Sequence, residues 1–110
     1  MANYQISIYS TENNKEPFNI WLCSLDKKFQ KRVLSRLIRI QNGNFGDYKQ
    51  LDNDLYELRL DFGCGYRIYY TISNNKIVIL LGGGDKSTQN KDIQKAKKYL
   101  ATYKNGGQDD

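Results

Sequence analysis

The chain has 110 residues, enough for one domain with a single core, and its 17 basic against 12 acidic side chains leave a formal net charge of +5. No stretch approaches the roughly 20 apolar residues of a membrane span, and the start M-A-N-Y-Q-I-S-I-Y lacks the basic-then-apolar layout of a secretory signal, so the expected setting is the cytoplasm, with no membrane partner. The absence of histidine excludes Ser-His-Asp and Cys-His nucleophiles and argues against a zinc site, while Cys23 and Cys64, far apart in the chain, read as free thiols.

Tyr4, Ile6 and Ile8 alternate with polar neighbours and predict a first strand. Pro17 sits where the first turn of a helix tolerates it. Phe18, Trp21, Leu22 and Leu25 then follow at helical spacing, with Trp21 as the anchor of that helix. Asp26 is placed to cap a second helix that runs to Gln41 and closes at Asn42-Gly43. Phe29, Val33, Leu37 and Ile40 make its apolar stripe. Lys28, Lys31, Arg32, Arg36 and Arg39 fall within roughly 140° of arc on the other side. From Lys27 to Arg39 there are six cations and no acid, so no i,i+4 carboxylate neutralises the face. Such a face is either simply solvated or an electrostatic docking surface for a polyanion.

Gly43–Gly46 reads as a loop and Tyr48–Leu51 as an edge strand preceding the meander, whose Lys49 is expected to project towards the same face as the arginines described next. Leu55–Lys86 then predicts a three-stranded antiparallel meander. Tyr56, Leu58, Leu60 and Phe62 alternate with Glu57, Arg59 and Asp61. Tyr66, Ile68, Tyr70 and Ile72 alternate with Arg67, Tyr69 and Thr71. Ile77–Leu81 is unbroken apolar, the pattern of a strand covered on both faces. With Gly63-Cys64-Gly65 as a three-residue loop and Asn74-Asn75 as a type I′ turn, Asp61 faces Arg67, Arg59 faces Tyr69, Glu57 faces Thr71, and Arg67 neighbours Gly82. Arg59, Arg67, Tyr69 and the carboxylates then share one face beside a glycine run that ends in Asp85-Lys86. A one-residue slip would send all of them to the other face.

Ser87 or Thr88 is placed to cap a last helix with Ile93, Ala96, Leu100 and Tyr103 inward and Lys91, Lys95 and Lys98 outward. The pattern predicts one domain over residues 1–104 and a disordered tail over 105–110. The order β-α-α-β-β-β-β-α predicts an α+β fold: a mostly antiparallel sheet, two N-terminal helices packed on one face, and a C-terminal helix.

The plainest account of the charged face is structural, with an Asp61–Arg67 ion pair, Arg59 stacked on Tyr69 and Gly82–Gly84 as a turn. Exposed pairs of that kind contribute about 0–1 kcal/mol. The functional account is phosphoryl chemistry. In metal-free RNA cleavage a 2′-hydroxyl attacks the adjacent phosphorus, and arginine's planar fork suits the charge that gathers on the phosphoryl oxygens. The spacing of G-G-G-D-K-S does not match a nucleotide-binding loop.

Six sequence words, in order, carry a family resemblance. They are F-x-x-W-L at Phe18–Leu22, G-N-F-G-D-x-K at Gly43–Lys49, Y-E-L-R at Tyr56–Arg59, G-x-G-Y-R-x-Y-Y at Gly63–Tyr70, L-L-x-G-G-D-K-S-x-Q at Leu80–Gln89 and D-I-x-x-A-K at Asp92–Lys97. From about Tyr4 to Tyr103 the chain resembles the RelE/ParE superfamily of bacterial toxins, in its phage Gp49-like, HigB-type addiction-module killer branch. The resemblance implies a toxin neutralised by an antitoxin encoded beside it, often of helix-turn-helix type. It also implies a ribosome-dependent endoribonuclease that cuts mRNA, inhibits translation and needs no cofactor or metal. Arg67 matches the arginine on the scissile phosphate, Arg59 a basic residue on the preceding strand, and Lys86 falls near a basic pair after the last strand. The second helix corresponds to a ribosomal-RNA docking surface.

Glu57 stands where the best-known members carry lysine, and no tyrosine or histidine of the last helix is matched. The acid then falls to Lys86 or Lys49 and the base to Glu57 or Asp85. Two other readings stay open: a ParE-like inhibitor of DNA gyrase, and a nucleic-acid-binding module without catalysis.

Overall fold

The computed structural model describes residues 3–106. The elements are β1 (Gln5–Ile8), α1 (Pro17–Cys23), α2 (Lys27–Gln41), β2 (Tyr48–Asp52), β3 (Leu55–Arg59), β4 (Arg67–Ser73), β5 (Ile77–Gly84), a 3₁₀ turn (Lys86–Thr88) and α3 (Gln89–Gly106). They form one sheet in the order β1-β5-β4-β3-β2. The β1–β5 pair is parallel and the other pairs are antiparallel. The fold is α+β, as the pattern predicts. Helix α3 continues to Gly106, past residue 104, and residues 107–110 of the expected tail lie outside the described residues.

The two faces of the sheet carry separate cores. On one, Phe18 of α1 and Val33, Leu37 and Ile40 of α2 pack on Leu58, Ile68, Tyr70, Val78 and Leu80. On the other, Ala96 and Leu100 of α3 pack on Leu55, Tyr69, Ile79 and Leu81. This is why Ile77–Leu81 is apolar without interruption: its side chains go alternately to both cores. Each such side chain, fully buried, stabilises the fold by about 1.5–3 kcal/mol. The same arrangement closes much of the face on which alternation places the charged groups. The face that carries Glu57, Tyr69 and Thr71 is the one α3 covers, and those three side chains are buried.

Both hairpins depart from the expected register. Leu60 N–H donates to the Tyr66 carbonyl at 3.0 Å and Arg59 stands opposite Arg67, so Asp61–Gly65 form the loop. Gly63 and Gly65 both take positive φ, which allows the wider turn. Phe62 and Tyr66 leave the ladder to join an aromatic cluster, with Phe62 stacked on Phe29 at 5.9 Å and Tyr66 edge-on to Trp21 at 5.9 Å. Glu57 therefore faces Tyr69, not Thr71, and Asp61 does not meet Arg67. Asp61 instead lies 3.9 Å from Arg32 and is largely exposed. The displacement along β3 is two residues, so every side chain keeps its face.

In the second hairpin Asn74 and Asn75 do take positive φ, but Lys76 stands outside the ladder and Ser73 pairs with Ile77. A bulge between Tyr69 and Tyr70 adds a second step, so Arg67 pairs with Gly84 and not Gly82.

The helix ends differ in detail from the expected caps. Asp26 occupies the N-cap of α2 without a side-chain cap bond. Asp85, rather than Ser87 or Thr88, caps the last helical segment, its carboxylate accepting from Ser87 N–H at 2.8 Å. Trp21 is only partly buried; a Cβ on Gly83 would come within 2.4 Å of its ring, so the bare backbone is what lets the indole lie flat on β5.

Arg36 is the clearest correction within α2. It follows Val33 by three residues and precedes Leu37, which turns it towards the sheet, and it is buried instead of joining the cationic face. Its Nη2 donates to the Phe45 carbonyl at 3.1 Å and its Nη1 to the Arg59 carbonyl at 3.4 Å. Burial first, and then the neighbouring Arg39, lower its pKa from the usual guanidinium value. Arg36→Met is expected to lower stability by about 1–3 kcal/mol, because two buried carbonyls lose their donor. Lys31→Met on the exposed face should change it by no more than about 0.5 kcal/mol. Urea unfolding of the pair checks the contrast.

Candidate functional site

The β3–β4 ladder sets Arg59 directly opposite Arg67, and directly opposed residues of an antiparallel pair project to the same face. Two residues back along β3, on that same face, stands Glu57, whose side chain is completely enclosed. Arg59 Nε lies 3.4 Å from Glu57 Oε1 and Arg67 Nε lies 3.5 Å from Oε2. Gln89, at the start of α3, donates from Nε2 to Oε2 at 2.8 Å. One carboxylate thus gathers two guanidinium groups and the first turn of the last helix. A buried carboxylate is tolerated only when paired and hydrogen-bonded in this way.

The two arginines differ in access. The Arg59 side chain is 40% exposed and that of Arg67 15%. Arg67 Nη1 also donates to the Gly65 carbonyl at 2.7 Å, which aims the guanidinium at the hairpin tip. Lys86 and Arg67 crowd the same side of that glycine: a Cβ on Gly65 would come 3.2 Å from Lys86 Cβ and 3.3 Å from Arg67 Nη1. Lys86 is exposed. Lys49, opposite Glu57 in the β2–β3 register, belongs to this face as well and is exposed. Four cations thus come from four places in the chain, with Glu57 beneath the two arginines.

The remaining candidates are placed less openly. Tyr69 is completely buried under α3, and burial first, with the nearby Glu57 charge second, drives its ionisation well above the usual phenol range. Asp85 is committed to the turn that follows β5: its carboxylate accepts from Ser87 N–H and hydroxyl and from the Cys64 thiol, and the Ser87 side-chain bond chiefly holds its pKa below the usual carboxylate value. Of the predicted cationic face on α2, Lys28, Lys31, Arg32 and Arg39 are exposed, and Arg36 is not. Arg32 is steadied over the Phe62 ring at 4.3 Å. Sequence reasoning missed Gln89 as a member of the site; it was present only as the last letter of a family word, with no charge to draw attention to it.

Tyr69 and Tyr70 give a pH expectation. Burial is the largest cause for both, and it holds each neutral in the folded chain beyond the pH at which an unfolded tyrosine ionises, about 10. Their contribution to stability is complete below that value and is lost as pH rises above it. Titration by absorbance at 295 nm should therefore show two of the nine tyrosines ionising only as the fold opens, in step with loss of far-ultraviolet dichroism.

Taken together, these features define an α+β domain that holds a cluster of cations over an internal carboxylate at one end of its central hairpin. A family-wide sequence profile for phage-derived Gp49-like proteins (DUF891) matches residues 20–104, and the chain belongs to that family. An uncharacterized protein of Haemophilus influenzae is 48% identical over 81 residues, covering 73% of this chain and 82% of its own. At the level of a phage-derived, toxin-like family, membership agrees with what the sequence words imply. Among the described residues no helix is long and apolar enough to cross a membrane.

Proposed function

We propose that the protein is the toxin of a toxin–antitoxin pair of the RelE/ParE type and that it cleaves mRNA on the ribosome. The observation that carries this reading is the pair of guanidinium groups set opposite each other across β3 and β4, with the backbone of Lys86 beside them at Gly65. Arg67, fixed by its Nη1 bond to the Gly65 carbonyl and ion-paired with Glu57, is the pre-organised donor to the phosphoryl oxygens, and the more exposed Arg59 closes on the phosphate from the neighbouring strand. Lys86 protonates the departing 5′ oxygen, with Lys49 placed to contact the strand alongside.

Glu57 anchors the arginines and does not act as the base, since it has no open face. Asp85 is spent on its cap. Charge stabilisation therefore supplies most of the rate, and the 2′ proton passes to solvent. The exposed Lys28, Lys31, Arg32 and Arg39 of α2 dock on ribosomal RNA, and a helix-turn-helix antitoxin neutralises the protein in the cytoplasm.

One observation favours a non-cleaving reading, in which the protein binds gyrase or nucleic acid: Glu57, the carboxylate paired with Arg67, is enclosed, and Asp85 is engaged by Ser87. Induction in cells with mapping of mRNA 5′ ends separates the two. New in-frame cuts that vanish with Arg67→Ala support the nuclease. Growth arrest with intact mRNA and a DNA-damage response would point to gyrase.

A further inference from the structure

The second surface of interest lies on the opposite margin of β5 from β4. Strand β1 pairs with only the first half of β5, Gln5–Ile8 against Ile77–Leu80, and Tyr9 N–H makes a last bond to the Leu80 carbonyl. The chain then turns away through Thr11–Lys15. Strand β5 continues to Gly84, paired with β4 through Gly82, Gly83 and Gly84, while its other margin has no strand beside it among the described residues. An open edge of this kind offers backbone donors and acceptors to another chain, and natural sheets usually guard one with lysine, proline or a covering element. Here the edge is glycine: Gly82 and Gly83 are partly exposed, with Trp21 over one face of Gly83, while Gly84 is buried against Asp92 and Thr88, so the open part of the margin is at Gly82 and Gly83.

A cleft of about 300 Å³ lies over that edge. Leu81–Gly83 line it, with Ile20 and Trp21 of α1 on one side and Ala96 and Tyr99 of α3 on the other. Ile20 is 60% exposed, unusual for an isoleucine with a concave apolar surface beside it. A Cβ on Gly82 would meet nothing within 4 Å, so the space above the edge is open. Three charged groups line the cleft. Lys15 and Lys95 are exposed and have no ion-pair partner among the described residues, whereas Asp92 already accepts a hydrogen bond from Thr88. Two lysines against one carboxylate leave the cleft with an excess of one positive charge. The cleft is at the small end of the ligand-sized range and runs beside an unpaired strand margin, where an extended chain can add main-chain bonds of its own.

We propose that the Gly82–Gly83 margin of β5 receives an extended segment of a partner protein as an added strand, with a bulky apolar side chain in the α1–α3 cleft and acidic side chains at Lys15 and Lys95. Main-chain bonds supply the affinity and the cleft and lysines the selectivity, the division of labour usual in strand addition. The inference does not rest on the nuclease reading, because none of its residues belongs to the arginine cluster.

The test uses the full chain and a blocked heptapeptide that alternates glutamate with isoleucine and phenylalanine. Trp21, the chain's single tryptophan, reports on the cleft by fluorescence, and amide shifts report on Gly82 and Gly83. Saturable binding that moves both signals is expected. It should weaken by at least about tenfold with Gly82→Phe, which fills the open position, with a peptide carrying lysine for glutamate, and with one N-methylated at alternate residues. Absence of saturable binding, equal affinity for Gly82→Phe, or equal affinity of the N-methylated peptide would overturn the proposal. If Gly82→Phe does not fold, the surface pair Lys15→Glu with Lys95→Glu decides. It should weaken the acidic peptide and strengthen the lysine one, and no change in either would be equally fatal.

Discussion

Glu57→Ala is expected to lower the stability of the chain by about 3–5 kcal/mol, as removal of one partner from a buried ionic cluster does elsewhere. The carboxylate is fully enclosed and bonded to Arg59, Arg67 and Gln89, so its loss leaves Arg67, itself only 15% exposed, without a counter-charge and frees the first turn of α3. Glu57→Gln is the sharper variant. It keeps the volume and one acceptor but gives up the negative charge, so the chain should fold with a smaller loss of stability while the guanidinium groups lose their fixed aim. If Glu57 only positions the arginines, cleavage by the Gln variant falls at every pH and the shape of the pH–rate profile is unchanged. If it were the base, the acidic limb of the profile would disappear. Chemical denaturation together with a pH series of single-turnover cleavage on programmed ribosomes distinguishes these outcomes.

The second large effect is expected at Arg67. Arg67→Ala should reduce cleavage by about 10²–10³, the usual consequence of losing one pre-organised donor to transition-state charge. Arg67→Lys should recover little of it. The native side chain uses Nε towards Glu57 and Nη1 towards the Gly65 carbonyl at the same time, and an ammonium on a flexible stem cannot make that fork. Arg59→Ala should cost less than Arg67→Ala, since Arg59 is more exposed and is held by Glu57 alone through its side chain. Single-turnover rates for the three variants, measured beside their thermal midpoints, separate a chemical loss from a loss of fold.

Much of the architecture was legible in the residue pattern because period and punctuation are local properties. The 3.6-residue stripe of α2, the alternation in β3 and β4 and the paired positive-φ asparagines all appear in the structure. What local pattern does not carry is how far two strands slide before tertiary packing stops them. Phe62 and Tyr66 preferred the aromatic cluster against α1 and α2 to a place in the ladder, and Arg59 thereby came to face Arg67 instead of Tyr69. Nor does charge alone tell burial. Arg36 and Glu57 look like surface residues by type, yet each is buried because backbone carbonyls in one case and guanidinium groups in the other are there to receive it. Tyr69, which alternation groups with Arg59 and Arg67, is likewise buried. Its cover comes from α3, which arrives from the far end of the sequence.

Two positive groups above one enclosed negative group leave a local excess of a single charge. The sheet in effect carries its own counter-ion, which stays in place when salt around the protein changes. Polyanions drifting past would sense a muted field there and a stronger one over the outer side of α2, where Lys28, Lys31, Arg32 and Arg39 lie in solvent and Asp61 offsets Arg32 alone. Long-range capture and close-range grip are thereby assigned to separate parts of the molecule, the first sensitive to ionic strength and the second largely shielded from it.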